Sequence, residues 1–132
     1  MKILIAEDDL VSRKILSKIL SEYGECDITV DGIEAVDAFL MAWEEGEPYD
    51  LLCLDIMMPK IDGIKALKTI RDIEKKQGIK KEQRVKVMMV TALSDRETIK
   101  KSYQAGCEAY IAKPIDMEKL VSALNGMGFY KK

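Results

Sequence analysis

The chain has 132 residues, 48% of them hydrophobic and 33% charged, with a formal net charge of -2. That is one domain's worth of sequence, apolar enough to bury its own core, and its charge balance excludes a disordered chain, bulk nucleic-acid binding and adhesion to an anionic membrane. There is no histidine, which excludes Ser-His-Asp and Cys-His catalysis, histidine-ligated zinc and any phosphohistidine within the chain.

The first element is the apolar run at residues 3–6, which reads as a buried strand and ends directly in Glu7, Asp8 and Asp9. These acids interrupt the only candidate for an N-terminal signal peptide, and no apolar stretch approaches the ~20 residues of a membrane span, so a cytoplasmic protein is expected. Val11, Ile15 and Ile19, with Leu16, Leu20 and Tyr23, then form an apolar helical stripe that stops at Gly24. A short strand is predicted over 28–30. Val36, Phe39, Leu40 and Trp43 mark a second helix, closed by Gly46-Glu47-Pro48. The run at 51–54 is a second buried strand and ends in Asp55.

Met57-Met58-Pro59-Lys60-Ile61-Asp62-Gly63 is a loop, and Ile64, Leu67, Ile70 and Ile73 define a third helix. Residues 74–84 read mainly as a solvated helix extension and loop, with a surface for an acidic partner as the minor alternative. The run at 87–90 ends in Thr91. Ser94-Asp95-Arg96-Glu97 has the spacing of a capping box for a fourth helix that stops at Gly106. Its apolar positions are chiefly Ile99 and Tyr103, so a solvated face is slightly favoured over a partner surface. The run at 109–112 ends in Lys113-Pro114. Asp116 caps a last helix with Met117, Leu120, Val121 and Leu124 expected inward. Cys26, Cys53 and Cys107 form no close pair and are expected to be buried, reduced thiols. The chain reads as a single domain, 1–132, with a core of about 1–125 and a short tail over 126–132, too short for a DNA-binding output domain.

Strands alternating with helices predict an α/β protein whose parallel sheet is covered on both sides. In such sheets, ligands gather at the carboxyl ends of the strands. Acid, acid, hydroxyl and ammonium would then meet at one edge. Carboxylates crowded there repel unless a cation joins them, and Mg²⁺ suits an all-oxygen ligand set, with Mn²⁺ as an alternative ion. A carboxylate beside Mg²⁺ can attack phosphorus, with an ammonium and a hydroxyl neutralising the developing phosphoryl charge. Asp55, Lys113 and Thr91 are available for those roles.

Four stretches, each following a strand, together resemble the receiver domains of bacterial response regulators: Ile5-Ala6-Glu7-Asp8-Asp9, the run from Leu54-Asp55 to Asp62-Gly63, Val90-Thr91-Ala92 and Lys113-Pro114. The resemblance covers nearly the whole chain. It implies a flavodoxin-like, three-layer, doubly wound fold with five parallel strands in order 2-1-3-4-5, the order known for receivers. It implies Asp55 as phosphoacceptor, Asp8 and the Met57 backbone carbonyl as Mg²⁺ ligands beside Asp55, and Glu7 acting through water. Asp9 is a further candidate ligand or only a helix N-cap. Arg13, five residues past Asp8, favours the Glu7/Asp8 register. Thr91 and Lys113 would bind the phosphoryl group, Thr91 and Tyr110 would form a switch, and the Lys113-Pro114 bond would be cis.

The implied function is a phosphorylation-dependent signalling switch rather than an enzyme with an external substrate. Its donor would be a histidine kinase or histidine phosphotransfer protein. Its downstream protein target would meet the fourth helix, last strand and last helix, with the chain a monomer or a phosphorylation-induced dimer. Met57 and Leu93, flanking the route of a hydrolytic water, cannot orient it by hydrogen bonding, so a long-lived aspartyl phosphate is expected. An aspartate-nucleophile phosphatase would need a second aspartate where Met57 stands, and no glycine-rich nucleotide motif is present.

Overall fold

The computed structural model describes all of residues 1–132. Its elements alternate without exception: β1 (Lys2–Ala6), α1 (Leu10–Leu20), β2 (Glu25–Thr29), α2 (Gly32–Glu44), β3 (Leu51–Leu54), α3 (Gly63–Lys76), β4 (Lys86–Thr91), α4 (Arg96–Ala105), β5 (Ala109–Ala112) and α5 (Met117–Gly126), with a short 3-10 turn at Lys81–Gln83. The five strands form one parallel sheet in the order β2-β1-β3-β4-β5. This is the flavodoxin-like arrangement expected.

The alternation of side chains along each strand divides the core into two layers. Ile3, Ile5, Leu51, Cys53, Met88 and Val90 point to the face covered by α1 and α5, where Leu16, Leu20, Leu120 and Leu124 meet them. Leu4, Ala6, Leu52, Leu54, Val87 and Met89 point to the other face, under Phe39 of α2, Leu67 and Ile70 of α3 and Ala105 of α4. Near-continuous apolar strands follow from burial on both sides. Every one of the five α-helices is N-capped by an aspartate, Asp9, Asp31, Asp62, Asp95 and Asp116, whose carboxylate accepts a hydrogen bond from a backbone N–H of the first turn. The sole tryptophan, Trp43, is half-buried in the last turn of α2. Because each helix runs antiparallel to the strands, that turn lies at the amino-terminal edge of the sheet.

Several expectations need correction. The second strand begins at Glu25, not Ile28, and pairs from Lys2↔Glu25 to Ala6↔Thr29. As an edge strand it tolerates Glu25 and Asp27, so no apolar run marked it. Cys26 lies inside this strand and is only partly buried, while Cys107 precedes β5 instead of beginning it. The cap of α4 is Asp95 rather than Ser94, and its partner is the N–H of Thr98. Val11 and Ile15 of α1 and Met117 of α5 are exposed, and Val121 is half-buried. The sheet covers only the Leu16, Ile19 and Leu20 side of α1, and Ile15, Met117 and Val121 border a groove between α1 and α5.

Residues 74–84 are also more than a solvated extension. Glu74 is 1% exposed, and Ile79 and Val85 are buried. The Glu74 carboxylate accepts from the Val85 N–H at 2.8 Å and from Arg71 Nη1 at 2.7 Å. Arg71 also donates to the carbonyls of Val85 and Gly106 and to the Glu108 carboxylate. One guanidinium thus ties the end of α3 to the start of β4 and to the turn before β5.

Candidate functional site

Backbone pairing carries each functional residue just past its strand. The N–H of Glu7 donates to Thr29 O (3.0 Å), that of Asp55 to Ala6 O (3.0 Å) and that of Lys113 to Thr91 O (2.7 Å). The ladder therefore continues one residue beyond β1, β3 and β5 and fixes where the side chains emerge. Behind Asp55 the loop folds back tightly. The Gly63 N–H donates to Ile56 O at 2.8 Å, and a Cβ at position 63 would lie 2.1 Å from the Asp55 carbonyl oxygen. Only glycine allows α3 to start that close to the strand end. Arg13 clamps the other acidic turn, its Nη1 donating to the carbonyls of Glu7 (3.3 Å) and Asp8 (3.4 Å).

These constraints bring Glu7, Asp8, Asp55 and Lys113 together. Carboxylate oxygens of Glu7, Asp8 and Asp55 lie within 4.8 Å of one another. Glu7 and Asp55 are buried, at 1% and 5% exposure, whereas Asp8 faces solvent. Lys113 Nζ donates to Asp55 Oδ2 at 3.0 Å and stands 2.6 Å from Glu7 Oε1. The second contact is a close ion pair, so one ammonium serves an oxygen of each buried carboxylate. The other oxygens are engaged more conventionally: Glu7 Oε2 accepts from the Asp9 N–H (3.2 Å) and Asp55 Oδ1 from the Met57 N–H (3.2 Å).

Two buried carboxylates share one ammonium, which leaves a net negative charge where water is scarce. Burial raises the Glu7 carboxyl from 4.5 to about 7, and neighbouring Asp55 adds to the rise against the opposing pull of Lys113. For Lys113, burial favours the neutral amine, but hydrogen bonding and attraction to Glu7 and Asp55 outweigh it and hold the amine above its ordinary value. A hard cation fits this donor set. Three carboxylates converge beside a single ammonium, and one of the acids is reluctant to ionise.

Asp9 is not part of the group. Its carboxylate accepts from the Ser12 N–H at 2.9 Å as the cap of α1, and that hydrogen bond lowers its pKa. Thr91 ends β4 with its side chain fully buried, Oγ1 accepting from the Leu93 N–H at 3.4 Å. Tyr110 is half-buried on β5, and its hydroxyl donates to Leu93 O at 2.6 Å. The two switch candidates are thus linked through one loop residue, Leu93, and neither side chain hydrogen-bonds to the side chains of Glu7, Asp55 or Lys113. The Lys113-Pro114 peptide bond is cis. Met57 is 59% exposed at the mouth of the site, lining with Asp8, Met58, Pro59 and Leu93 a groove of about 890 Å³ between α3 and α4. Sequence reasoning did not anticipate that Glu7 would pair with Lys113 so closely; position 7 directly follows an apolar strand, and that adjacency was the available sign of burial.

The family of response regulator receiver domains matches residues 3–125 of the chain. The chain belongs to that family. Among solved structures, the receiver resembles a chain of the CheX-CheY-BeF3-Mg complex from Borrelia burgdorferi, with TM-score 0.83 and 28% identity over 97% of this chain and 89% of that one. It also resembles a chain from the Saccharomyces cerevisiae co-crystal of the histidine phosphotransfer protein Ypd1 with the Ssk1 receiver domain, at TM-score 0.77 and 30% identity over 91% of this chain and 83% of that one. A probable histidine kinase from Oryza sativa is 32% identical over 96% of the chain, but the chain spans only 13% of that protein's length. The receiver is accordingly a module of two-component signalling. None of its helices is long and apolar enough to cross a membrane.

Proposed function

We propose that this receiver accepts a phosphoryl group on Asp55 from a phosphohistidine of a histidine kinase or histidine phosphotransfer protein. The observation that carries the reading is the buried Asp55 carboxylate, 3.0 Å from Lys113 Nζ and grouped with Glu7 and Asp8 at the carboxyl edge of the sheet. The chain has no histidine, so the phosphohistidine lies outside these 132 residues.

An Asp55 carboxylate oxygen attacks phosphorus, the O–P bond forms as the N–P bond of the donor breaks, and the imidazole leaves with the electron pair and takes up a proton. Lys113, already held between Glu7 and Asp55, neutralises charge on the transferred group without having to move into place. Thr91 supplies its hydroxyl once the loop carrying Leu93 shifts. Glu7, Asp8 and Asp55, with the Met57 carbonyl, would hold Mg²⁺, which when bound offsets phosphoryl and carboxylate charge. The transfer adds roughly two negative charges to a crowded edge. A pull on Thr91 acts on Leu93, and the hydrogen bond from Tyr110 to Leu93 O carries the change to the face formed by α4, β5 and α5, where a downstream protein docks.

The exposed apolar residues Val11 and Ile15 of α1, close to Asp8, and Met117 of α5 suit docking of the donor protein, which must bring its imidazole within bonding reach of Asp55. Met57 and Leu93 offer no side-chain polar group to a hydrolytic water, so the aspartyl phosphate is long-lived. Incubation with a small phosphodonor and Mg²⁺, followed by intact mass and sizing, tests the assignment. One added phosphoryl group is expected in the parent and none in Asp55→Asn; stoichiometric uptake by that variant would overturn it. Met57→Asn should shorten the lifetime of the phosphorylated form.

A further inference from the structure

The amino-terminal edge of the sheet holds a second concentration of charge, remote from Asp55. There the segment joining α3 to β4 is fixed by buried Ile79 and Val85 and by the Val85 N–H donating to Glu74. So fixed, it sets Lys81 and Arg84 beside Lys86, the first residue of β4. With Arg71, Gly106 and Glu108 they line a recess of about 320 Å³. That volume lies at the small end of the range for small-molecule sites, roughly 300–1,000 Å³.

The charges of the recess are unevenly matched. Glu108 is the only carboxylate in its lining, and it is already occupied by Arg71 Nη2 at 3.0 Å and the Val87 N–H at 2.6 Å. Arg71 in turn spends its donors on Glu74, Val85 O, Gly106 O and Glu108. Lys81, Arg84 and Lys86 take part in none of the ion pairs of the molecule. Arg84 is the most telling of them. It is half-buried, its Nε is held by the Ile79 carbonyl at 3.3 Å, and its two terminal nitrogens donate to no protein acceptor. An oriented guanidinium with a free two-nitrogen edge matches the paired oxygens of a phosphoryl group. Three uncompensated cations around one recess, on a chain whose net charge is -2, favour an anion in their midst.

We propose that this recess is a second ligand site, independent of the phosphoacceptor assignment, for a small multivalent phosphate compound of the phosphoanhydride class. Arg84 grips one phosphoryl group bidentately, and Lys81 and Lys86 flank the rest.

Titration of the metal-free protein with inorganic pyrophosphate, followed by amide chemical shifts, tests the proposal. Omitting divalent ions prevents pyrophosphate from bridging to Glu7 and Asp8 through a cation. Saturable shifts are expected at residues 84–86 and 106–107, with affinity falling as salt rises. Arg84→Gln should weaken binding by at least roughly tenfold, as expected for loss of a charge-assisted hydrogen-bond pair. If that variant loses amide dispersion and so does not fold, the double variant Lys81→Gln/Lys86→Gln carries the same expectation. Shifts that do not saturate, that persist undiminished in the variants, that fall only at the carboxyl edge of the sheet, or that citrate reproduces with equal affinity would overturn the site.

Discussion

The two edges of the sheet each gather carboxylates around one cation, and they do so to opposite effect. At the amino-terminal edge, Arg71 satisfies Glu74 and Glu108 with a fork of hydrogen bonds, and each carboxylate also accepts a backbone N–H. At the carboxyl edge, the single ammonium of Lys113 is shared by Glu7 and Asp55 and leaves one negative charge uncompensated. A guanidinium can offer five directed donors, an ammonium only three on a flexible stem. The first edge therefore holds the fold, and the second keeps an unmet demand for positive charge that a cation can answer. Binding sites are commonly places where stability has been given up.

Arg71→Met should produce the largest change. It strands the fully buried Glu74 charge, and breaking a buried pair from one side costs roughly 3–5 kcal/mol. Urea unfolding should reveal this loss equally with and without Mg²⁺. Because the second change removes the stranded charge, Arg71→Met/Glu74→Leu should recover part of the loss, the remainder reflecting the Val85 and Gly106 backbone groups left without partners. A loss that Mg²⁺ relieved would erase the contrast between the edges.

Next in size is the pH dependence set by Glu7, whose carboxyl rises from 4.5 to about 7 on folding. The folded state then binds a proton that the unfolded state has released. The group's stabilisation is complete below pH 4.5 and is lost as pH climbs through about 7. In metal-free protein, the decline is expected to reach roughly 3 kcal/mol at most. Glu7→Gln should flatten it and leave the metal-free protein more stable than the parent at pH 8, while weakening Mg²⁺ binding. Thermal unfolding across pH in a chelator would decide this; a decline unchanged in the variant would mean that the charge is tolerated.

A smaller effect is expected from Tyr110→Phe, which deletes the 2.6 Å hydrogen bond to Leu93 O. One such bond contributes about 0.5–1.5 kcal/mol. Its interest is in the amide shifts of residues 91–95, which should move although the stability hardly does. The least change should come from Lys101→Ala. Its pairing with Glu97 at 3.3 Å is solvent-exposed on α4, and exposed i,i+4 pairs contribute only about 0.3–0.5 kcal/mol. A larger loss would show that α4 is bound more rigidly than its contacts imply.

Much of the carboxyl edge was legible in the sequence, because parallel strands buried on both faces must be apolar throughout and the first polar residue after each marks its end. Glu7, Asp55, Thr91 and Lys113 stand at such points. The amino-terminal edge was not legible in the same way. Glu74 continues the inward spacing of Leu67 and Ile70 on α3, so a carboxylate in an apolar stripe was the available signal. The groups that Arg71 ties to it, however, lie 11 and 34 residues away, at Val85 and Glu108. Edge strand β2 was placed at 28–30, three residues late, because its exposed and half-buried residues Glu25 to Ile28 form no apolar run, and periodicity could not tell that the sheet would leave Val11, Ile15 and Met117 bare. Helical spacing defines a face but not what covers it.

The position of Trp43 has a practical consequence. Lying in the last turn of α2, at the far edge from Asp55, the single indole is poorly placed to be quenched by an ion or a phosphoryl group arriving among the carboxylates. Intrinsic fluorescence of this receiver should follow melting of the α2 layer and stay nearly silent through activation, so an optical reporter of signalling would have to be introduced by substitution near Met57 or Leu93.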